Sequence, residues 1–236
     1  MAQSVQGEFA GLTVRRAYRY SGRAAGLTLT ASAVQSDIRI TSSQRLSLGE
    51  DRSVLLVNLA ARITRAGVFK LSFVLPEGLE VESITGNALS HWTDIEDGDD
   101  TVVTLHLKGK TEGNAQFQIN LAGAGLEKTE SWQVPRVAIR EATKENGQLF
   151  IIPEQGIRVY MKDREGVSQL DPKQAGIRDR GVLAFRLLQG DWKLSFDVER
   201  VDPWIQAVFL QEASVRQGTV KYRGVLEYQI ENTSVK

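Results

Sequence analysis

The chain has 236 residues, 29 basic and 29 acidic side chains, 42% hydrophobic residues, two histidines and no cysteine. That charged fraction and apolar content are those of a globular protein, and zero net charge argues against a nucleic-acid binder, which needs a basic face. Without cysteine there is no disulfide framework, thiolate metal site or cysteine nucleophile, and two histidines leave little for an imidazole-rich metal centre.

Taken in order, the N-terminal Met1-Ala2-Gln3-Ser4-Val5 lacks a basic n-region and an apolar h-region, so it does not read as a signal peptide. Arg15-Arg16-Ala17-Tyr18-Arg19-Tyr20 interleaves arginine with tyrosine on a strand. Such a strip could touch anions, but without a second basic patch it reads as a solvated face that discourages edge pairing. Val54 to Ala61 is the strongest apolar run and is far short of the about 20 residues that cross a bilayer. Pro76-Glu77-Gly78 is a turn, after which His91 and Trp92 precede the acidic stretch Asp94-Ile95-Glu96-Asp97-Gly98-Asp99-Asp100. The acids do not follow EF-hand spacing, so the stretch reads as a hairpin tip in which Asp97-Gly98 supplies positive φ angles.

Period-2 alternation then dominates. Val103, Leu105 and Leu107 alternate with Thr104, His106 and Lys108; Phe117, Ile119 and Leu121 alternate with Gln116, Gln118 and Asn120. Ala122-Gly123-Ala124-Gly125-Leu126-Glu127-Lys128-Thr129 reads as a glycine-rich linker. Asn146-Gly147 and Gln189-Gly190-Asp191 read as turns, and Asp171-Pro172-Lys173 as a capped helical turn. Leu194, Phe196 and Val198 alternate with Ser195, Asp197 and Glu199. About 16 such strands, separated by turn chemistry, give an all-β protein of antiparallel sandwiches.

An internal repeat stands out. Shifted by 167 residues without gaps, residues 17–69 align with 184–236 and give ten identical pairs in 53, where ordinary composition gives roughly three. The pairs include Leu27/Leu194, Ile38/Ile205, Gln44/Gln211, Leu59/Leu226, Ile63/Ile230 and Val68/Val235. Strand parity is preserved, so both copies place the same face inward. The expected organisation is a β-sandwich module at 13–124 and a second β module at 131–236, whose 184–236 part repeats 17–69. The expected core holds Leu27, Leu29, Leu59, Ile63, Val68, Phe117, Ile119, Leu194, Phe196, Leu226 and Ile230.

The stretch Phe73-Val74-Leu75-Pro76-Glu77-Gly78-Leu79-Glu80-Val81-Glu82-Ser83-Ile84-Thr85-Gly86, following an alternating strand, resembles the immunoglobulin-like modules of large repetitive β-rich proteins of bacterial envelopes. The resemblance spans roughly residues 50–125 and 215–236. It implies an extracytoplasmic, structural role and assigns no catalytic residue.

Chemistry-bearing patterns are sparse. No Gly-x-Ser-x-Gly elbow accompanies His91 or His106, and no glycine-rich phosphate loop precedes a helix. Trp92, Trp132, Trp192 and Trp204 could build a sugar-stacking platform, with Trp192 and Trp204 the two expected at the surface. The expectation is therefore a non-enzymatic structural or interaction module without metal or cofactor. Its expected partners are other protein modules or itself through exposed strand edges. A polysaccharide-binding module and an elongated sheet offering a groove to lipid are the alternatives.

Overall fold

The computed structural model describes residues 28, 30, 32–126, 129–176, 181–202 and 204–231. The chain divides into Met1–Ala33 and Val34–Lys236, and every element below belongs to the second unit. Thirteen strands are described: β1 (Asp37–Leu48), β2 (Arg52–Val74), β3 (Leu79–Gly86), β4 (Leu89–Asp97), β5 (Asp100–Ala124), β6 (Thr129–Gln133), β7 (Lys144–Pro153), β8 (Ile157–Glu165), β9 (Val167–Leu170), β10 (Leu183–Leu187), β11 (Lys193–Arg200), β12 (Trp204–Arg216) and β13 (Thr219–Glu231). The expected capped turn is a 3₁₀ turn at Pro172–Ala175, with Asp171 Oδ1 accepting from Lys173 N–H at 3.0 Å and Gly176 closing it in the left-handed region. No helix among the described residues is long and apolar enough to cross a membrane.

Three sheets result. The largest runs β3-β5-β2-β1-β7-β10-β9, with β4 pairing on β5; the second is β6-β11-β8, and the third is the hairpin β12-β13. β5 is 25 residues long, so β4 pairs with its first part and β3 with its last part, while β2 follows both. Alternation sets the inward face. Leu55, Val57, Leu59, Ala61 and Ile63 of β2 are buried, as are Phe117, Ile119 and Leu121 of β5. Leu194, Phe196 and Val198 of β11 join the same cluster, and Phe196 meets Phe185 of β10 edge-to-face at 6.1 Å. Val68 lies half-buried against it.

Several expectations need correction. The glycine-rich run at 122–129 does not divide the sheets. Gly125 N–H bonds to Asp51 O at 3.1 Å and Leu126 N–H to Gly49 O at 3.3 Å. The glycines are there for close approach, since a β-carbon on Gly125 would collide with Glu50. Strands from both sides of 125–130 therefore share the large sheet. The sheets are also not purely antiparallel: β1 pairs with β7 in parallel, Arg39 opposite Lys144 through Leu48 opposite Pro153. The intervening crossover, which includes β2 to β6, gives the length a parallel connection requires. Asn146-Gly147 is not a turn but lies inside β7, where a β-carbon on Gly147 would collide with Ser42.

The β12-β13 hairpin repeats β1-β2 in geometry. In β1-β2 Asp37 faces Thr64 and Leu48 faces Ser53; adding 167 gives Trp204 facing Glu231 and Val215 facing Val220, which are the observed pairs. The turns coincide as well, Glu50-Asp51 in one and Gln217-Gly218 in the other. Gln217 and Gly218 both have positive φ, 42° and 78°, as a two-residue hairpin loop of the I′ class requires. The two hairpins differ in burial. Leu59 is 2% exposed, whereas its counterpart Leu226 is 47% exposed, so Leu226 is not the core residue expected. Ile230 is half-buried.

Candidate functional site

The segment between β6 and β7, residues 134–143, forms a strap against the large sheet: Val137 lies against the buried side of β1, and Ile139 makes an isolated antiparallel bridge to Phe73 of β2. Its backbone is fixed by Val134 N–H to Leu194 O at 2.9 Å, Arg140 N–H to Ser72 O at 2.8 Å and Thr143 N–H to Ile38 O at 2.7 Å. Gln44, wholly buried on β1, donates from Nε2 to Val137 O at 3.2 Å. Two carboxylates hold the strap. Glu141 accepts from Ser72 N–H at 2.8 Å and Ser72 Oγ–H at 2.6 Å, and Glu145 Oε2 accepts from Ile139 N–H at 3.1 Å.

One edge of the strap opens into a cleft of about 440 Å³ lined by Arg136, Arg140, Lys144, Glu145, Gln189 and Asp191 among others. That is the volume of a small-ligand site. Glu145 is only 7% exposed, and burial pushes its carboxyl up to about 7 from an ordinary 4.5. The Ile139 N–H bond and the Arg136 charge pull it the other way. Arg136 also donates to Trp192 O at 3.2 Å, and Arg140 reaches Asp97 of β4 at 3.8 Å. The cleft thus brings the buried Glu145 carboxyl together with Arg136, Arg140 and Lys144 and with the acidic Asp191. Sequence reading missed Glu145, because Lys144-Glu145-Asn146-Gly147-Gln148 is polar and contains the turn-like pair Asn146-Gly147. The signal was parity: Glu145 is in phase with Leu149 and Ile151, both fully buried.

Of the residues singled out from the sequence, the Gln189-Gly190-Asp191 turn lines this cleft and Asp97 pairs with its Arg140; the histidines and tryptophans do not line it. His91 and His106 come together across β4 and β5, with rings stacked at 4.5 Å and 7° between planes. Imidazole lone pairs lie in the ring plane, so parallel stacked rings do not converge on one cation. His106 Nε2 lies 3.0 Å from Thr93 Oγ1. The acidic stretch is a hairpin tip with Asp97 opposite Asp100; only Gly98 carries a positive φ, 70°, the glycine-first pattern of a II′ turn. No cluster of three or more possible metal-ligating side chains occurs among the described residues.

The tryptophans do not share a face. Trp192, expected at the surface, is 2% exposed and is core; Trp92 and Trp132 are half-buried against the core, and Trp204 is 50% exposed. Arg15, Arg16, Tyr18, Arg19, Tyr20, Leu27, Leu29 and Val235 lie outside the described residues.

No protein-family model matches the sequence, and no curated protein matches it. Among solved structures, an M1 zinc metallopeptidase from Deinococcus radiodurans is similar over 81% of this chain and 47% of its own, at 9% identity and a TM-score of 0.38. A native leukotriene A4 hydrolase from Saccharomyces cerevisiae is similar over 77% of this chain and 31% of its own, at 9% identity and a TM-score of 0.43. The chain spans less than half the length of each, and similarity at this level carries no argument about chemistry here.

Proposed function

We propose that the chain is a non-enzymatic structural and assembly module, a unit of a repetitive, extracytoplasmic β-protein. The observation that carries this reading is the register identity of the two hairpins. β12-β13 repeats β1-β2 pair for pair at a shift of 167, but the face that is buried in β1-β2 is exposed in β12-β13. A hairpin with the geometry of a core element and an open apolar face is a joining element: it contributes half of a core and takes the other half from elsewhere. The size changes between the copies support it. Ser42 and Val57 become Phe209 and Gly224. Phe209 lies over Gly224, where a β-carbon would meet it at 3.0 Å. Such a large-for-small exchange conserves packing volume. A polysaccharide platform finds only Trp204 exposed among the tryptophans of the described residues.

The test is to extend the chain after Glu231 with a second copy of residues 65–202, completing the repeat. The chain has no cysteine, so a Leu226→Cys variant carries a single thiol for labelling. Rapid labelling in the parent chain and labelling slowed at least tenfold in the extended chain, both at low micromolar concentration, is the expected result. Equal rates would show that the hairpin is not the opening of a second unit.

A further inference from the structure

The open face of β12-β13 can be read residue by residue from its register. Its large side chains are Ile205, Phe209, Tyr222, Leu226 and Tyr228, with 47–63% of each exposed. Val215 and Val220, beside the turn, are 71% and 64% exposed. Ala207, Ala213 and Gly224 leave gaps between them, and Gln211 is the only side-chain amide. The face carries no charged side chain, whereas on the other side of the hairpin the exposed Trp204, Val208, Leu210 and Val225 are interspersed with Glu212, Arg216, Lys221, Arg223 and Glu227.

Taking about 150–250 Å² for a fully accessible residue of these sizes, the exposed fractions of these seven put roughly 600–1,000 Å² on this one face. That is at or above the top of the range for the largest apolar patch of a typical monomer, about 300–600 Å², and spans the about 800 Å² each partner brings to a standard interface.

We propose that this face docks against the same face of a second copy of the chain, related by a two-fold axis, so that each hairpin covers the other. The inference rests on the assembly role argued above and names its partner. Three features favour a like partner. An uncharged face meets its own copy without like-charge repulsion. Large residues alternating with Ala207, Ala213 and Gly224 supply both projections and gaps on one surface, which an isologous contact requires. Gln211 matches Gln44, whose Nε2 donates in the body to the main-chain carbonyl of Val137. A lone amide on an apolar face selects the register that satisfies it and disfavours slipped ones.

Sedimentation velocity on the full chain from 1 to 200 µM tests this, alongside Phe209→Asp and Leu226→Asp. The expected result is a mass rising from one chain to two, with each variant weakening dimerisation at least 100-fold and leaving the melting temperature of the monomeric body within about a degree. A chain that stays monomeric throughout overturns the proposal. So does a dimer that both variants leave intact, which would place the contact at a strand edge, or a monomer whose native mass spectrum carries bound lipid. A monomeric parent together with slowed labelling of Leu226→Cys in the extended chain would reject the second copy as partner and leave the structural reading standing. Equal labelling with an intact dimer would do the reverse.

Discussion

Glu145→Gln is the sharpest perturbation of the strap. The carboxyl sits at about 7 in the fold against an ordinary 4.5, because burial costs the ionised form more than Ile139 N–H and Arg136 return. Between those two values the native state holds a proton that the unfolded chain has released. Stability therefore falls as pH rises from about 4.5 through 7 and is lowest above it. At 1.36 kcal/mol per pH unit the loss is about 3 kcal/mol. Glutamine keeps an oxygen to accept from Ile139 N–H and removes the ionisation. At pH 5 the two proteins should be equally stable to within about 0.5 kcal/mol, and at pH 8 the variant should be the more stable by about 2–3 kcal/mol. With a urea m-value of about 2 kcal/mol/M, that is a midpoint difference of about 1–1.5 M. Urea titrations followed by tryptophan emission, to which the buried Trp192 contributes, at pH 5, 6, 7 and 8 read it directly. Other groups titrate in this window, so the difference between the proteins is the quantity that counts. Midpoints that move in parallel across the range would refute the assignment of a strained, buried carboxyl.

Further outcomes follow from burial. Leu59→Asp should abolish cooperative unfolding of the body, by placing an unpaired charge at a 2% exposed site. At the equivalent position Leu226→Asp should change the midpoint of monomeric chain by less than about 0.5 kcal/mol; circular-dichroism melts separate the two. Gly147→Ala should cost about 1–3 kcal/mol through the clash with Ser42, in the range of overpacked cores, and an unchanged melt would mean β7 does not lie against β1. Glu141→Ala should cost about 1.5–3 kcal/mol for the lost bonds to Ser72. It should also raise amide exchange along residues 134–143, and unaltered exchange there would show that the strap is held without it.

What could be read from the sequence was whatever repeats at short range. Alternation placed Phe117, Ile119, Leu194 and Phe196 inward, and the shift of 167 aligned two segments that the structure forms as hairpins of the same register. What could not be read depends on distant backbone. Gly147 looks like turn chemistry until Ser42, far away in sequence, is seen against it, and Gly125 looks like a linker until Glu50 is. Glu145 was missed for a related reason: its parity with Leu149 and Ile151 is hidden in a polar run, and its burial depends on the distant segment folded against it. Leu226 shows a different limit, since periodicity identifies the face of a strand but not whether anything lies on it.

The parallel pairing of β1 with β7 has a consequence for the order of events on the ribosome. Arg39 finds its partner at Lys144, about 100 residues later, whereas β1 and β2 meet through a two-residue turn. At 5–20 residues per second, the nascent hairpin waits roughly 5–20 s with one row of amides and carbonyls unclaimed. Neighbouring chains on a polysome are then the nearest competitors for that row, and Thr41, Ser43 and Arg45 on the outward side are the hydrophilic residues that keep the waiting hairpin in solution.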